Sequence, residues 1–336
     1  MRKVLIGICL IAVAFLIFSC GGSKKAESQG PASQETLVFK LSDSSGPATA
    51  LHRAMRVIAD EVKAKTDGRI TIEVYPSGQL GDIKASMEAV QMGTLDMAIT
   101  NRATCGAIVP EFAVLGAPFL FDDDAHCLRA IQGDLGKYLN QKMAEKNMTI
   151  VCHVLNGFRH VYASRVVKSI QDLRGLKIRT MENVIDMDTF NTLGAIATPM
   201  AFAELFTGLQ QRTVDGAEAM ISNILGERFY EVCPHVTFTG HFYDFVQVII
   251  SNAAMEKIPQ ELRATFYDAC IEGGRKGGQL VLDENEKAVG ELKAKGVQFY
   301  DIDRAELKKA TEPVYTKNAK NLLPELIAMV EAARAK

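Results

Sequence analysis

Side chains able to do covalent or acid–base chemistry are plentiful in this chain, but their spacing assembles no catalytic group. Seven cysteines fall at positions 9, 20, 105, 127, 152, 233 and 270. None forms a CxxC pair, so neither a zinc knuckle nor a disulfide framework is indicated. Cys105, Cys127, Cys152, Cys233 and Cys270 read as small buried hydrophobes. The histidines, at 52, 126, 153, 160, 235 and 241, include no i,i+4 pair. His126 and Cys127 lie beside Asp122, Asp123 and Asp124, yet adjacent residues on a helix point in different directions and cannot close on one ion. GxSxG, HExxH and a strand–GxGxxG–helix arrangement are all missing. The run from Gly273 to Gly278 lacks the phosphate-loop spacing and sits inside a helical pattern, where small residues serve close packing. No metal, no cofactor and no enzymatic activity are expected.

The composition narrows the partners. Of 336 residues, 48% are hydrophobic and 23% charged, with 38 basic against 40 acidic side chains. Aromatics are 7% and tryptophan is absent, which argues against nucleic acid, whose binders carry a basic excess and stacking rings. Arg2 and Lys3 precede an apolar run from Val4 to Phe18, a positive segment followed by a hydrophobic one. Ile17-Phe18-Ser19-Cys20, followed by Gly21 and Gly22, resembles a bacterial lipobox. Residues 1–19 are therefore expected to be a signal peptide, with Cys20 accepting a lipid through its thiolate. Residues 20–36, rich in Ser, Gly, Gln and Lys, read as a flexible tether. The expected location is the periplasm or outer cell surface, with Cys20 as the membrane anchor.

Behind the tether, strands alternate with helices. Leu51, Met55, Ile58, Ala59 and Val62 form one helical face between strands at Thr36–Leu41 and Ile70–Tyr75. A helix ending at Gln91 and a strand at Leu95–Thr100 follow. One helix is predicted from Asp124 to Lys146, before a strand at Thr149–Leu155. Further strands are expected at Arg159–Ala163, Leu176–Thr180, Val214–Glu218 and Val246–Ser251. Helices are expected at Val184–Leu193, Ala203–Gln211, Ile221–Glu231 and Gln260–Lys295, the last bent or broken at its glycines. This order implies an α/β protein with parallel sheets, in two units between which the chain crosses more than once.

Spaced motifs then carry a resemblance. Ile70 to Gly81, Gln91-Met92-Gly93-Thr94-Leu95-Asp96, Ala117 to Phe121 and Asn156-Gly157-Phe158-Arg159 occur in order. They are followed by Ile170 to Arg179, Leu193-Gly194-Ala195, Pro199 to Glu204, Val214 to Glu218 and Gly240-His241. Together they resemble the solute-binding proteins of tripartite ATP-independent periplasmic (TRAP) transporters, of the dicarboxylate-binding type, over about residues 37–315. The resemblance implies a two-lobed periplasmic-binding-protein fold with a long helix bridging both lobes. Lobe I would comprise 37–156 plus 245–284, and lobe II 157–244 plus 285–336. It also implies a monomer that captures a small organic acid (a C4-dicarboxylate, a uronate or other sugar acid, or a 2-oxo acid) and delivers it to membrane permease subunits. Competing readings are a module for an apolar or other non-carboxylate solute, a sensor component, and a periplasmic enzyme.

The same resemblance assigns a site. Arg179 matches the arginine that forks onto a substrate carboxylate. By residue type alone, with Arg174 and Lys177 close by, it reads first as a surface arginine. Arg159 matches a second basic ligand contact and Phe202 an aromatic wall, with Glu204 opening the next helix. Asn101 and Ser44, with Asp43, are placed in loops that complete the pocket. Ala219 stands where relatives commonly have an asparagine that bonds the carboxylate, leaving Asn223, one turn on, to compensate.

Overall fold

The computed structural model describes residues 36–334; the expected signal peptide, Cys20 and the expected tether up to residue 35 lie outside the described residues. Nine strands among them form one sheet: β1 (Leu37–Ser42), β2 (Ile70–Tyr75), β3 (Met97–Thr100), β4 (Met148–Ala163), β5 (Lys177–Thr180), β6 (Ile196–Pro199), β7 (Gly216–Ala219), β8 (His235–Ser251) and β9 (Gln298–Tyr300). The order is β2-β1-β3-β8-β4-β7-β5-β6, with β9 paired to β8. β1 is parallel to β2 and β3, and β5 to β6 and β7, as strand–helix–strand units require. β8 is antiparallel to β3 and β4, and β4 to β7. The sheet is therefore mixed rather than parallel throughout.

The two long central strands are shared. One half of each completes a lobe with β1, β2 and β3, and the other half a lobe with β5, β6 and β7, so the fold is two-lobed α/β. The expected strands at Thr149–Leu155 and Arg159–Ala163 are in fact one, joined through Gly157. That residue has φ +92°, and a Cβ there would lie 2.9 Å from Asn285 Nδ2. Register shifts at Ile150/Cys152, Leu155/Gly157 and Arg159/Val161 mark bulges, which increase local twist where the chain passes between lobes.

Two apolar cores serve each lobe. Phe39, Leu41, Met55, Ile58 and Phe266 form one in the first lobe; Met87, Phe112, Leu115 and Ile131 belong to the other. The second lobe has one core around Tyr162, Leu209 and Phe229, and another around Val161, Ile178 and Phe190. Burying each such side chain contributes about 1.5–3 kcal/mol relative to exposure. The C-terminal helices, which the periodicity did not anticipate, send Val314, Leu322, Leu326 and Val330 into the core of Met87 and Phe112. The helix expected from Asp124 to Lys146 is two, Asp124–Gln132 and Asp134–Ala144, divided at Gly133. All five described cysteines are buried and unbridged, as expected.

Helix Gln260–Ala294 runs unbroken for 35 residues, so its glycines do not break it. Its Phe266, Cys270 and Val281 join a first-lobe core, and its Ala288 and Leu292 a second-lobe core, which makes it the bridge. The glycines exist for contact on two sides. A Cβ on Gly273 would lie 2.7 Å from Ile58 Cα and one on Gly277 2.9 Å from Ala54 Cβ, both on helix Ala50–Lys65. A Cβ on Gly274 would lie 2.7 Å from the His153 carbonyl oxygen, and one on Gly278 3.0 Å from Leu155 N, both on β4. Gly274→Ala is expected to destabilise by about 1–3 kcal/mol, since backbone must move to admit the methyl group. Gly290→Ala, in the same helix with nothing within 4 Å, should instead stabilise by up to about 1 kcal/mol. Urea denaturation of both variants checks the contrast, and equal effects would contradict it.

Candidate functional site

The segments that follow the C-terminal ends of β1, β2, β3, β5, β6 and β7 converge on one cavity of about 770 Å³. This is where open α/β sheets place ligands, because the loops there diverge and leave a crevice. Ser44, Thr100 and Asn101 wall it from the first lobe, and Arg179, Phe202, Ala219 and Asn223 from the second. Asn156, Arg159 and Asp244, on the central strands, complete the lining. All seven residues proposed from sequence as ligand contacts thus line one cavity. Asp43 does not: it is buried behind the wall, accepting bonds from Ser45 N at 2.7 Å and His52 Nδ1 at 2.9 Å. Glu204 lies exposed outside it.

Arg159 and Arg179 differ in what already holds them. Arg159 donates from Nε and Nη2 to the Glu218 carboxylate, with the Nη2–Oε1 bond at 2.9 Å, and again from Nη2 to the Glu218 carbonyl at 2.9 Å. Its Nη1 donates to Asp244 at 3.0 Å and more weakly to Met220 Sδ at 3.6 Å. Burial alone would disfavour this charge, yet Glu218 and Asp244 together raise the Arg159 pKa. Burial would likewise raise the Glu218 pKa, but the Arg159 charge overrides it and keeps the acid ionised. His241, 3.7 Å from Glu218, has its pKa lowered by burial.

Arg179 is 4% exposed and donates only from Nε, to the Met200 carbonyl at 2.9 Å. Among the described residues it has no carboxylate partner, and its two terminal nitrogens make no bond to the protein. Burial lowers its pKa. A guanidinium fixed by one backbone bond, with both terminal nitrogens free at a cavity wall, is placed to grip a planar anion.

The remaining positions have structural work as well. Asn101 Oδ1 caps helix Arg102–Ile108, accepting from Ala103 N and Thr104 N at 3.0 Å each. Phe202 stands edge-on to Phe229 at 6.1 Å, and Phe229 stacks on Tyr162 at 5.5 Å. Ala219 ends β7 opposite His160 and offers only a methyl group. Glu218, Asp244, Asn156 and Glu227 were not proposed from sequence. A lone acid inside a buried strand was the available signal for the first two: Glu218 in Gly-Ala-Glu-Ala, and Asp244 in Phe-Tyr-Asp-Phe. The acid-rich segment near His126 binds its own backbone, Asp123 accepting from His126 N at 2.7 Å. Among the described residues no group of three or more metal-ligating side chains is assembled.

Residues 41–321 match the family described as bacterial extracellular solute-binding protein, family 7. The chain belongs to this family. It is 35% identical over 283 residues to a solute-binding protein of Verminephrobacter eiseniae, covering 84% of each chain. To the C4-dicarboxylate-binding periplasmic protein DctP of Rhodobacter capsulatus it is 31% identical over 310 residues, covering 91% of this chain and 93% of that one. A solved TRAP periplasmic solute-binding protein of Polaromonas sp. JS666, bound to D-erythronate, superposes with a TM-score of 0.85 at 34% identity, over 89% of this chain and all of that one. These family 7 relatives are binding components of transporters rather than enzymes, which sets aside the enzymatic reading. No described helix of this family member is long and apolar enough to cross a membrane.

Proposed function

We propose that the protein captures a small organic acid outside the cytoplasm and hands it to the membrane permease of a TRAP transporter. The buried Arg179 guanidinium, in no ion pair among the described residues and lining the cavity, carries this reading: a ligand carboxylate supplies the missing direct partner. Arg159 helps through the Nη1 hydrogen now directed at Met220 Sδ, the weakest of its five bonds. Asn101 Nδ2, the Ser44 hydroxyl and Asn223 hold the rest of the ligand, with Phe202 closing one side. Ala219 gives space where an amide would give a bond. The lobes, proposed as 37–156 plus 245–284 and 157–244 plus 285–336, with the last helices, which carry Leu322, Leu326 and Val330, packed back on the first, close on the ligand by bending at the two shared strands. Relatives bind C4-dicarboxylates and D-erythronate, so carboxylates of that size are the first ligands to test. Calorimetry with an organic-acid library, on the wild type and the Arg179 variants described below, is the decisive experiment.

The working form is a monomer tethered through a lipid on Cys20. Cys20→Ser is expected to move the protein from the membrane fraction to the soluble one. Equal fractionation of both forms would contradict lipidation.

A further inference from the structure

Three cationic side chains line the cavity, Arg159, Arg179 and Lys84, against five acidic ones, Asp82, Glu182, Glu218, Glu227 and Asp244. Their placement sharpens the imbalance. Arg159 is engaged by Glu218 and Asp244, one of whose oxygens is also held by Asn156 Nδ2 at 3.2 Å. Lys84 is exposed, as are Asp82 and Glu182. Arg179 is thus the single buried cation left for a ligand among the described residues. Glu227 is half-buried and has no cationic partner among them; its one bond is from Gly46 N, at 3.0 Å, reaching across from the opposite lobe. That bond fixes the Glu227 carboxylate at the lobe boundary with its second oxygen unengaged. The neutral polar groups on the wall, Ser44, Ser45, Thr100, Asn101 and Asn223, suit hydroxyls rather than a second anion.

We infer that the cavity selects acids with one carboxylate and several hydroxyls, and that Glu227 both accepts a ligand hydroxyl and turns a second carboxylate away. This rests on the proposed grip of Arg179 on the first carboxylate. A dicarboxylate would have one end at Arg179 and the other in an acid-lined space whose one further buried cation, Arg159, is already paired with Glu218 and Asp244. At interior screening, two carboxylates about 5 Å apart repel enough to weaken binding by roughly 100-fold. Glu227→Gln keeps the shape, an acceptor oxygen for the hydroxyl and the bond from Gly46, while removing the charge.

The test is calorimetry with matched pairs that differ only in oxidation of the far carbon: threonate with tartrate, xylonate with xylarate, galactonate with galactarate. The wild type is expected to bind at least one monocarboxylate, and its dicarboxylate counterpart at least about 30-fold more weakly. Glu227→Gln should narrow that ratio about tenfold or more, with an unchanged melting temperature. A dicarboxylate bound as tightly as its counterpart, or a ratio unmoved by Glu227→Gln, would overturn this inference. If that dicarboxylate binding were lost in Arg179→Ala, the carboxylate grip itself would stand. Binding of the monocarboxylate that survives Arg179→Ala, or no binding by any of these acids, would overturn the grip and this inference with it.

Discussion

Arg179→Ala is expected to weaken a carboxylate ligand by roughly thirty-fold to several-thousand-fold, the equivalent of losing one partner of a buried hydrogen-bonded charge pair at about 2–5 kcal/mol. The effect on the empty protein should have the opposite sign. Arg179 makes no ion pair among the described residues, and burial disfavours its charged form more than the Glu218 charge favours it. Removing it relieves a desolvated charge, so the ligand-free variant should melt no lower than the wild type. The stabilisation that saturating ligand gives, which grows with ligand concentration over Kd, should disappear. Arg179→Lys keeps the charge without the planar fork and should recover only part of the affinity. Arg174→Ala, at an exposed position, should change binding little. Calorimetry checks each variant, and Arg179→Ala binding within about three-fold of wild type, below 1 kcal/mol, would refute the carboxylate grip.

How far the sequence could be read depends on the range of the forces involved. The face of helix Ala50–Lys65 was legible because Leu51, Met55, Ile58 and Val62 recur at the helical period and are buried as that period requires. Strand β2 was legible because Ile70, Ile72 and Val74 alternate with Thr71 and Glu73, whereas the parallel strand β6, Ile-Ala-Thr-Pro with no fully buried position, was not expected. The length of β4 was not: Asn156-Gly157 reads locally as a turn, and only pairing with Phe245 and Asp244 across the sheet keeps it extended. The glycines of the bridging helix misled only in part: they serve the close packing expected of them, through the approach of Ile58 and the His153 carbonyl from elsewhere in the chain, but no break in the helix accompanies it. At the site, family-like motifs brought Arg179, Arg159 and Phe202 into view. The partners that distinguish the two arginines lie 59 and 85 residues from Arg159, beyond any local pattern.

Arg159 should behave as the reverse of Arg179, because its charge is already answered. Arg159→Ala would leave Glu218 and Asp244, 1% and 3% exposed, without their cation. Stranding buried charges in this way costs about 3–5 kcal/mol. At about 2–4 °C per kcal/mol for a large domain, the melting temperature should fall by roughly 6–20 °C. The loss should depend on pH with a definite sign. Without Arg159, burial raises the Glu218 pKa, and the nearby Glu218 charge still favours protonation of His241. Either proton uptake relieves the unpaired charge, so the variant should be closest to wild type in mild acid and furthest from it above neutrality. Replacing the whole group by neutral residues of similar size, Arg159→Met with Glu218→Gln and Asp244→Asn, leaves no stranded charge. That triple variant should be more stable than Arg159→Ala alone, although it removes more interactions. Thermal melts across pH decide the matter: a single variant melting within about 2 °C of wild type, below about 1 kcal/mol, would mean that Glu218 and Asp244 do not depend on Arg159.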